Sequence, residues 1–361
     1  MARLGRTELE VFRLGLGGIP LMRMPEADAR VVIDAARGGG INFAETAEGY
    51  GDSEQKLSWA LRQGREDFVI ASKSMERSAA GMARAIEQSL ARLQTGYLDI
   101  YQLHSIKTEA ELAEVFGPGG AMQALKDARR EGKVRFIGIS GHRPAVLKKC
   151  LETGEFDTVQ VPLNVVDREA EPELLPYAAA NDIGIIAMKP VCGGTLDDAA
   201  LGIRFCLNTV ADLVLVGMKS EAEVAANLET LRTFEPLSED EEENLLFQAS
   251  QLGEQFCRQC DYCQPCPNSV PIPRILWLSN YHRRYGERDP WTEEDYRAFP
   301  VDATGCQECG ECEQKCPYDL PIRNMLKESH RELAPTVKAT AKRKIKKVAR
   351  KVFSSRKGTA D

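Results

Sequence analysis

The chain has 361 residues, 43% of them hydrophobic and 28% charged, with a formal net charge of −7. That length buries a full core and leaves room for one large domain and a small one. No stretch approaches the roughly 20 apolar residues of a membrane span, and the opening MARLGRTELEVFRLG has charges where a signal peptide needs an apolar run, so a soluble protein of the cytoplasm is expected.

From Phe12 to about Thr233 a short β-branched run, a turn and a helical pattern repeat. The strands are expected at 12–18, 42–46, 68–72, 98–103, 134–140, 157–161, 184–188 and 212–216. Longer stretches of helical spacing separate them, such as EADARVVIDAAR, GMARAIEQSLARL, GGAMQALKDARREG and SEAEVAANLETL. Eight such units in one run fit a closed parallel barrel better than an open doubly wound sheet. Residues 3–11 read as a hairpin ahead of the first strand, turning at Gly5 and Arg6.

Chemistry in such a barrel gathers at the carboxyl ends of the strands. Those ends carry Glu45, Lys73, His104, Ser140, Gln160, Lys189 and Lys219. Any one of them could be an ordinary solvated loop residue, but together they mark a site.

The stretches GGINFAETAEGYGDSE, FVIASK, LDIYQLH, GKVRFIGIS, VQVPLN and GIIAMKP, in that order, resemble the aldo-keto reductase family over about residues 3–230. The resemblance implies a (β/α)8 TIM barrel that exchanges hydride between a nicotinamide cofactor, NADPH or NADH, and a small-molecule carbonyl or alcohol. It implies Tyr50, Lys73 and His104 as catalytic residues, with Glu45 standing where the family has aspartate. Hydride addition leaves an alkoxide that must be protonated. A tyrosine, with an ordinary pKa of about 10, serves best as that acid when a cation stands beside it. Lys73 is expected to be the cation, Glu45 to hold it, and His104 to orient the carbonyl. Ser140 and Gln160 are expected at the carboxamide, with Gly141 replacing an asparagine and Met188 a stacking tyrosine. After the last strand, Gly217, Lys219, Ser220 and Asn227 match the adenosine-phosphate loop, and Lys189 is a further cofactor residue. Glu223 lies near the 2′-phosphate position, where a carboxylate repels phosphate while Lys219 attracts it, so both nicotinamides stay open.

Eleven cysteines in a reducing compartment argue against disulfides. Eight of them form two tight runs. Cys257, Cys260, Cys263 and Cys266 precede one proline, and Cys306, Cys309, Cys312 and Cys316 precede another. The second run is the ferredoxin pattern in which the fourth cysteine ligates the neighbouring cluster. By that logic Cys257, Cys260, Cys263 and Cys316 hold one 4Fe-4S cluster, and Cys306, Cys309, Cys312 and Cys266 the other. Tetrahedral zinc competes, but it needs no third cysteine at the same pitch. Cys150, Cys192 and Cys206 read as buried thiols. Residues 1–330 resemble the subset of aldo-keto reductases with a C-terminal ferredoxin-like domain.

The expected organisation is a barrel over 1–235, a connecting helix over 236–256, a small ferredoxin-like iron-sulfur domain over 257–330 and a basic tail over 331–361. Trp277, Tyr281 and Tyr285, at helical spacing, are expected to be core packing that seats the cluster domain. The tail has 11 Lys/Arg against 2 Asp/Glu, leaving 36 basic against 52 acidic residues before it, or −16. Within it Val337, Ala341, Ile345, Val348 and Val352 share one helical face. Such a segment is either a solvated tail, a weak contact with anionic membrane, or a dock for an acidic partner; no specific nucleic acid is expected.

Nicotinamide moves two electrons as hydride and each cluster moves one, with no flavin signature to mediate. Three functions are therefore open. One is a carbonyl reductase whose clusters are structural or tune a partner. Another is an electron-transfer protein working with a ferredoxin-type partner. The third is a nicotinamide sensor.

Overall fold

Parallel strands covered on both faces read as nearly unbroken apolar runs, and the repeating runs of this chain pair in that way. In the computed structural model, residues 1–62, 64–192, 196, 198–253, 257, 263–285, 291–316 and 320–334 are described. Two short strands, β1 (Ala2–Arg3) and β2 (Glu10–Val11), come first. They are followed by β3 (Leu14–Gly17), β4 (Phe43–Glu45), β5 (Val69–Ser74), β6 (Leu98–Leu103), β7 (Val134–Ser140), β8 (Thr158–Pro162), β9 (Gly184–Met188) and β10 (Leu213–Gly217). These eight close into a parallel barrel in sequence order, β10 pairing with β3. The barrel is thus as expected, with strand ends that differ by a residue or two. β5 runs past its β-branched core because Lys73 and Ser74 pair with Gln102 and Leu103; backbone pairing sets the end there, not side-chain type.

The helices of the barrel are α1 (Glu26–Gly38), α2 (Ser53–Leu61), α3 (Ala79–Leu93), α4 (Glu109–Phe116), α5 (Ala121–Arg130), α6 (Pro144–Leu151), α7 (Leu174–Ala180), α8 (Ala199–Leu207) and α9 (Glu221–Arg232). Side chains cap several first turns: Ser78 accepts from Gly81 N at 3.1 Å and Thr108 from Glu111 N at 3.1 Å. The helix that Thr108 starts, EAELAEVF, is an addition between β6 and α5 that the strand-helix rhythm passes over.

One end of the barrel is plugged by the amino-terminal hairpin. Its turn is a 3-10 turn over Gly5–Thr7. A Cβ on Gly5 would lie 2.2 Å from the Gly184 nitrogen, and its φ of 46° also favours glycine. Leu4, Leu9 and Val11 join Phe43, Ile100 and Leu213 in one buried cluster. Burying each such side chain contributes about 1.5–3 kcal/mol.

The chain divides into two compact units between Leu252 and Gly253. The connecting helix is α10 (Glu239–Gly253). The second unit contains α11 (Ile272–Tyr285), α12 (Trp291–Ala298), α13 (Glu311–Gln314) and α14 (Ile322–Leu333). Its core gathers Val270, Ile275, Leu278, Tyr296 and Leu326, with Trp277 packed against it. The Tyr296 hydroxyl accepts from Ala303 N at 3.1 Å and lies 2.7 Å from His330 Nδ1, which satisfies the buried phenol. Trp277 and Tyr281 stack at 5.3 Å between centroids, and Trp291 meets Tyr281 at 4.9 Å. Cys260, the side chain of Tyr285 and the basic tail from residue 335 lie outside the described residues. Among the described residues no helix is long and apolar enough to cross a membrane.

Candidate functional site

Strand side chains alternate between faces, so residues two apart along a barrel strand share the interior. Phe43, Ala71, Ile100 and Ile186 belong to the apolar cluster inside the barrel. Glu45, Lys73, Gln102 and Met188 follow each of them by two positions and form the next, polar layer. The same parity carries His104, beyond Gln102, to the carboxyl end.

Hydrogen bonds link this layer, although the buried Gln102 Oε1 has no partner among the described residues. Lys73 Nζ donates to Glu45 Oε1 and, at 2.8 Å, to the Thr46 carbonyl. Gln160 Nε2 donates to Glu45 Oε1 at 3.1 Å and contacts Met188 Sδ at 3.4 Å, while its Oε1 accepts from Gln102 Nε2 at 2.9 Å. The backbone of Gly18 donates to Glu45 Oε2 at 3.3 Å. A Cβ on Gly18 would lie 2.4 Å from the Glu45 carbonyl oxygen, so only glycine brings that N–H so close. Glu45 and Lys73 are both buried, 4% and 1% exposed. A pair this dry holds together because each charge has the other and further hydrogen bonds.

Tyr50 stands above the pair. It lies in the turn after β4, its amide donating to the Ala47 carbonyl at 3.0 Å and its carbonyl accepting from Ser53 at 2.9 Å. Lys73 Nζ is 4.4 Å from the Tyr50 ring centroid, a cation–π contact. His104 meets the same ring edge-on, with centroids 6.0 Å apart at 84°. Backbone bonds fix His104: its amide donates to the Ser74 carbonyl at 3.0 Å, and its carbonyl accepts from Arg77 Nη2 at 2.9 Å. Burial first, and the Glu45 carboxylate second, push the Tyr50 phenol well above its ordinary pKa. Burial lowers the Lys73 pKa, and Glu45 opposes the shift. Burial, then Lys73, Arg77 and Lys189, hold His104 well below the usual histidine range. The site therefore presents a protonated phenol and a neutral imidazole beside the Lys73–Glu45 ion pair.

The expected cofactor residues fall into two groups. Ser140 ends β7 and Gln160 lies in β8, both buried, with Met188 at the end of β9. Lys189 follows in the left-handed region, φ 62°, and Asn164 Nδ2 donates to its carbonyl at 3.1 Å. The second group starts α9. Gly217 ends β10, Lys219 follows, and Ser220 caps the helix by accepting from Glu223 N at 3.2 Å. Asn227 is buried in the same helix. Glu223 turns back so that its carboxylate accepts from Lys219 N at 2.9 Å. An amide and a hydroxyl at strand ends suit a carboxamide, and a lysine beside a helix N-terminus suits phosphate, so these residues fit a nicotinamide dinucleotide.

Gln102, Thr46 and Asn164 were not singled out in the sequence. Gln102 was readable from parity with His104 in LDIYQLH. Thr46 acts through its carbonyl, which no residue type announces.

In the second unit, Cys263, Cys266, Cys306, Cys309 and Cys312 line one cavity, with Arg323 at its wall. Cys257 and Cys316 pack against the same core. Cys309 is exposed and Cys312 buried. Among the described residues no three His, Cys, Asp or Glu side chains converge on a point that would hold a single metal ion. Cysteines spread round one cavity fit an iron-sulfur cluster, which takes cysteine ligands at its separate corners. Cys150, Cys192 and Cys206 are buried in the first unit, as expected.

A closed parallel barrel with a tyrosine, lysine and histidine gathered at its carboxyl end defines an oxidoreductase of the reductase-barrel class. Residues 13–204 match the aldo/keto reductase family, and the chain belongs to it. Residues 256–321 match a 4Fe-4S dicluster domain. The L-galactose dehydrogenase of Arabidopsis thaliana is 29% identical over 290 residues, 66% of this chain and 90% of that protein. The NADH-specific methylglyoxal reductase of Escherichia coli is 30% identical over 224 residues, 54% of this chain and 68% of that protein. The solved holo form of an aldo-keto reductase from Bacillus halodurans is similar with a TM-score of 0.60 at 26% identity, covering 68% of this chain and 95% of that one.

Proposed function

We propose that the barrel reduces a small, oxygen-bearing carbonyl compound with NADH or NADPH, and that the second unit holds two 4Fe-4S clusters. The observation that carries the reading is the Tyr50 ring standing 4.4 Å from the Lys73 ammonium, with His104 at its edge. The nicotinamide, when bound, supplies hydride, two electrons and a proton's mass, to the carbonyl carbon. The former carbonyl oxygen then needs a proton. Tyr50 breaks its O–H bond to give that proton, and the phenolate left behind is stabilised by the neighbouring Lys73 ammonium. Glu45 and the Thr46 carbonyl keep the ammonium in place, while His104, neutral, donates a hydrogen bond that orients the carbonyl. Ser140 and Gln160 take the carboxamide with Met188 against the ring, Lys189 closes that side, and Gly217, Lys219, Ser220 and Asn227 take the adenosine half. Two relatives are named for L-galactose and methylglyoxal, which supports a small oxygen-rich substrate.

In the second unit, Cys306, Cys309 and Cys312 with Cys266 are the ligands of one cluster, and Cys257, Cys260 and Cys263 with Cys316 those of the other; the shared cavity supports the first set. Exposure of Cys309 favours a second reading for this unit, electron exchange with a ferredoxin-type partner through that edge of the cluster. The test is turnover by anaerobically purified protein: nicotinamide oxidation should match alcohol formed, one for one, over a panel of small carbonyls. Oxidation of nicotinamide with bleaching of the clusters and no alcohol would favour the electron-transfer reading instead.

A further inference from the structure

His142 is a polar side chain at the barrel mouth that the proposed reaction does not use. It lies in the turn between β7 and α6, after Ser140 and Gly141. A Cβ on Gly141 would come within 3.0 Å of the Ile106 carbonyl oxygen and 3.1 Å of Leu147 Cδ2. The first side chain this turn presents without displacing a neighbour is therefore that of His142. Two bonds tie the turn to the segment following His104: Ile106 N donates to the Ser140 carbonyl at 3.3 Å, and Arg143 Nη1 to the Lys107 carbonyl at 3.1 Å.

Nδ1 of His142 is buried and has no hydrogen-bond partner among the described residues. Burial first, then Lys189, His104 and Lys107, the ionisable groups facing it, hold its pKa well below the usual histidine range. The imidazole is neutral, with one nitrogen donating and the other accepting. A buried polar nitrogen without a partner is destabilising, and folds keep one chiefly where water or a ligand completes it. The turn that carries it is bonded to the segment directly after His104, the residue that the proposed reaction sets against the carbonyl.

We propose that His142 determines substrate specificity by hydrogen-bonding a hydroxyl on the carbon next to the reacting carbonyl, so that the barrel prefers 2-hydroxy carbonyl compounds over plain aldehydes. A hydroxyl both donates and accepts, so it pairs with either tautomer of the ring. A site built to bond such a group discriminates against the analogue that lacks it, because the site's buried polar atom is then left unpaired.

This rests on the reductase reading of the barrel, and the test separates the two. Lactaldehyde and propanal are compared as substrates of the full-length protein, together with the Kd of the reduced nicotinamide by fluorescence titration. The native protein should favour lactaldehyde in kcat/KM by about tenfold or more. His142→Phe, which keeps a ring of similar size, should remove that preference, leaving propanal turnover and nicotinamide Kd within about threefold. His142→Asn, which can still bond a hydroxyl, should restore part of it. An unchanged lactaldehyde-to-propanal ratio in both variants overturns the proposal, as does equal loss on both substrates with weakened nicotinamide binding, which would assign the ring to the cofactor. Native turnover of propanal without preference for lactaldehyde sinks this inference alone, whereas turnover of neither removes the reductase reading with it.

Discussion

Lys73 and Tyr50 meet face-on: the ammonium is 4.4 Å from the ring centroid, with its hydrogen bonds given to Glu45 and the Thr46 carbonyl beneath. A phenol whose pKa is raised keeps its proton through neutral pH and beyond. Carbonyl reduction, which consumes that proton, should therefore be flat across neutral pH and fall only in the alkaline range. Alcohol oxidation, which needs the phenolate, should climb with pH over the same interval. Because His104 is held neutral, neither direction should show a step in the ordinary histidine range. Initial rates in both directions against pH check this, and a reduction rate that drops as pH rises through neutrality would contradict it.

Glu45 uses both carboxylate oxygens, one for Lys73 and Gln160 and the other for Gly18. Glu45→Gln leaves the buried ammonium without its counter-charge, which costs about 3–5 kcal/mol. For a domain of this size the loss should lower Tm by roughly 6–20 °C. Glu45→Asp keeps the charge but falls short by one methylene, so it cannot reach all three donors. Reduction should drop by about tenfold with nicotinamide affinity little changed. Thermal denaturation of both variants with steady-state kinetics of the aspartate variant measures this.

Glu223 occupies the backbone N–H of Lys219 at the start of α9. A 2′-phosphate arriving there meets a carboxylate, whereas a ribose hydroxyl can donate to it. NADH should bind more tightly than NADPH, and Glu223→Ser should narrow or invert the difference, by about tenfold for one removed like-charge contact. Fluorescence titration with both nicotinamides decides it; tighter NADPH binding by the native protein would remove Glu223 from that role.

Anaerobically purified protein should contain about eight irons with matching sulfide. Cys306→Ser should lose about half of the iron, since the two ligand sets share no cysteine. Stoichiometric zinc with little iron would overturn the ligand assignment.

The barrel was legible because parallel strands bury both faces and so announce themselves as apolar runs; β6, β7 and β9 fall on the expected residues. Lys73, His104 and the cysteine runs could be picked out because residue type and spacing are themselves the signal. What pattern reading passes over is interaction through the backbone and through distant side chains. The Thr46 carbonyl under Lys73 and the Asn164 amide on the Lys189 carbonyl depend on which loop ends fold together. The helix α4 was missed for a related reason: it interrupts a regular strand-helix alternation, and only its Thr108 cap marks it locally.

The most direct measurement is a single turnover with nicotinamide carrying deuterium as the transferable hydrogen, run on the native protein and on Tyr50→Phe, with cluster absorbance followed in the same mixing experiment. Hydride transfer with Tyr50 as the acid predicts one deuterium on the carbinol carbon for each nicotinamide oxidised. It also predicts a rate that falls by about 10²–10⁴ in Tyr50→Phe while nicotinamide Kd is unchanged. Cluster bleaching without labelled alcohol, or undiminished label transfer in Tyr50→Phe, would contradict it.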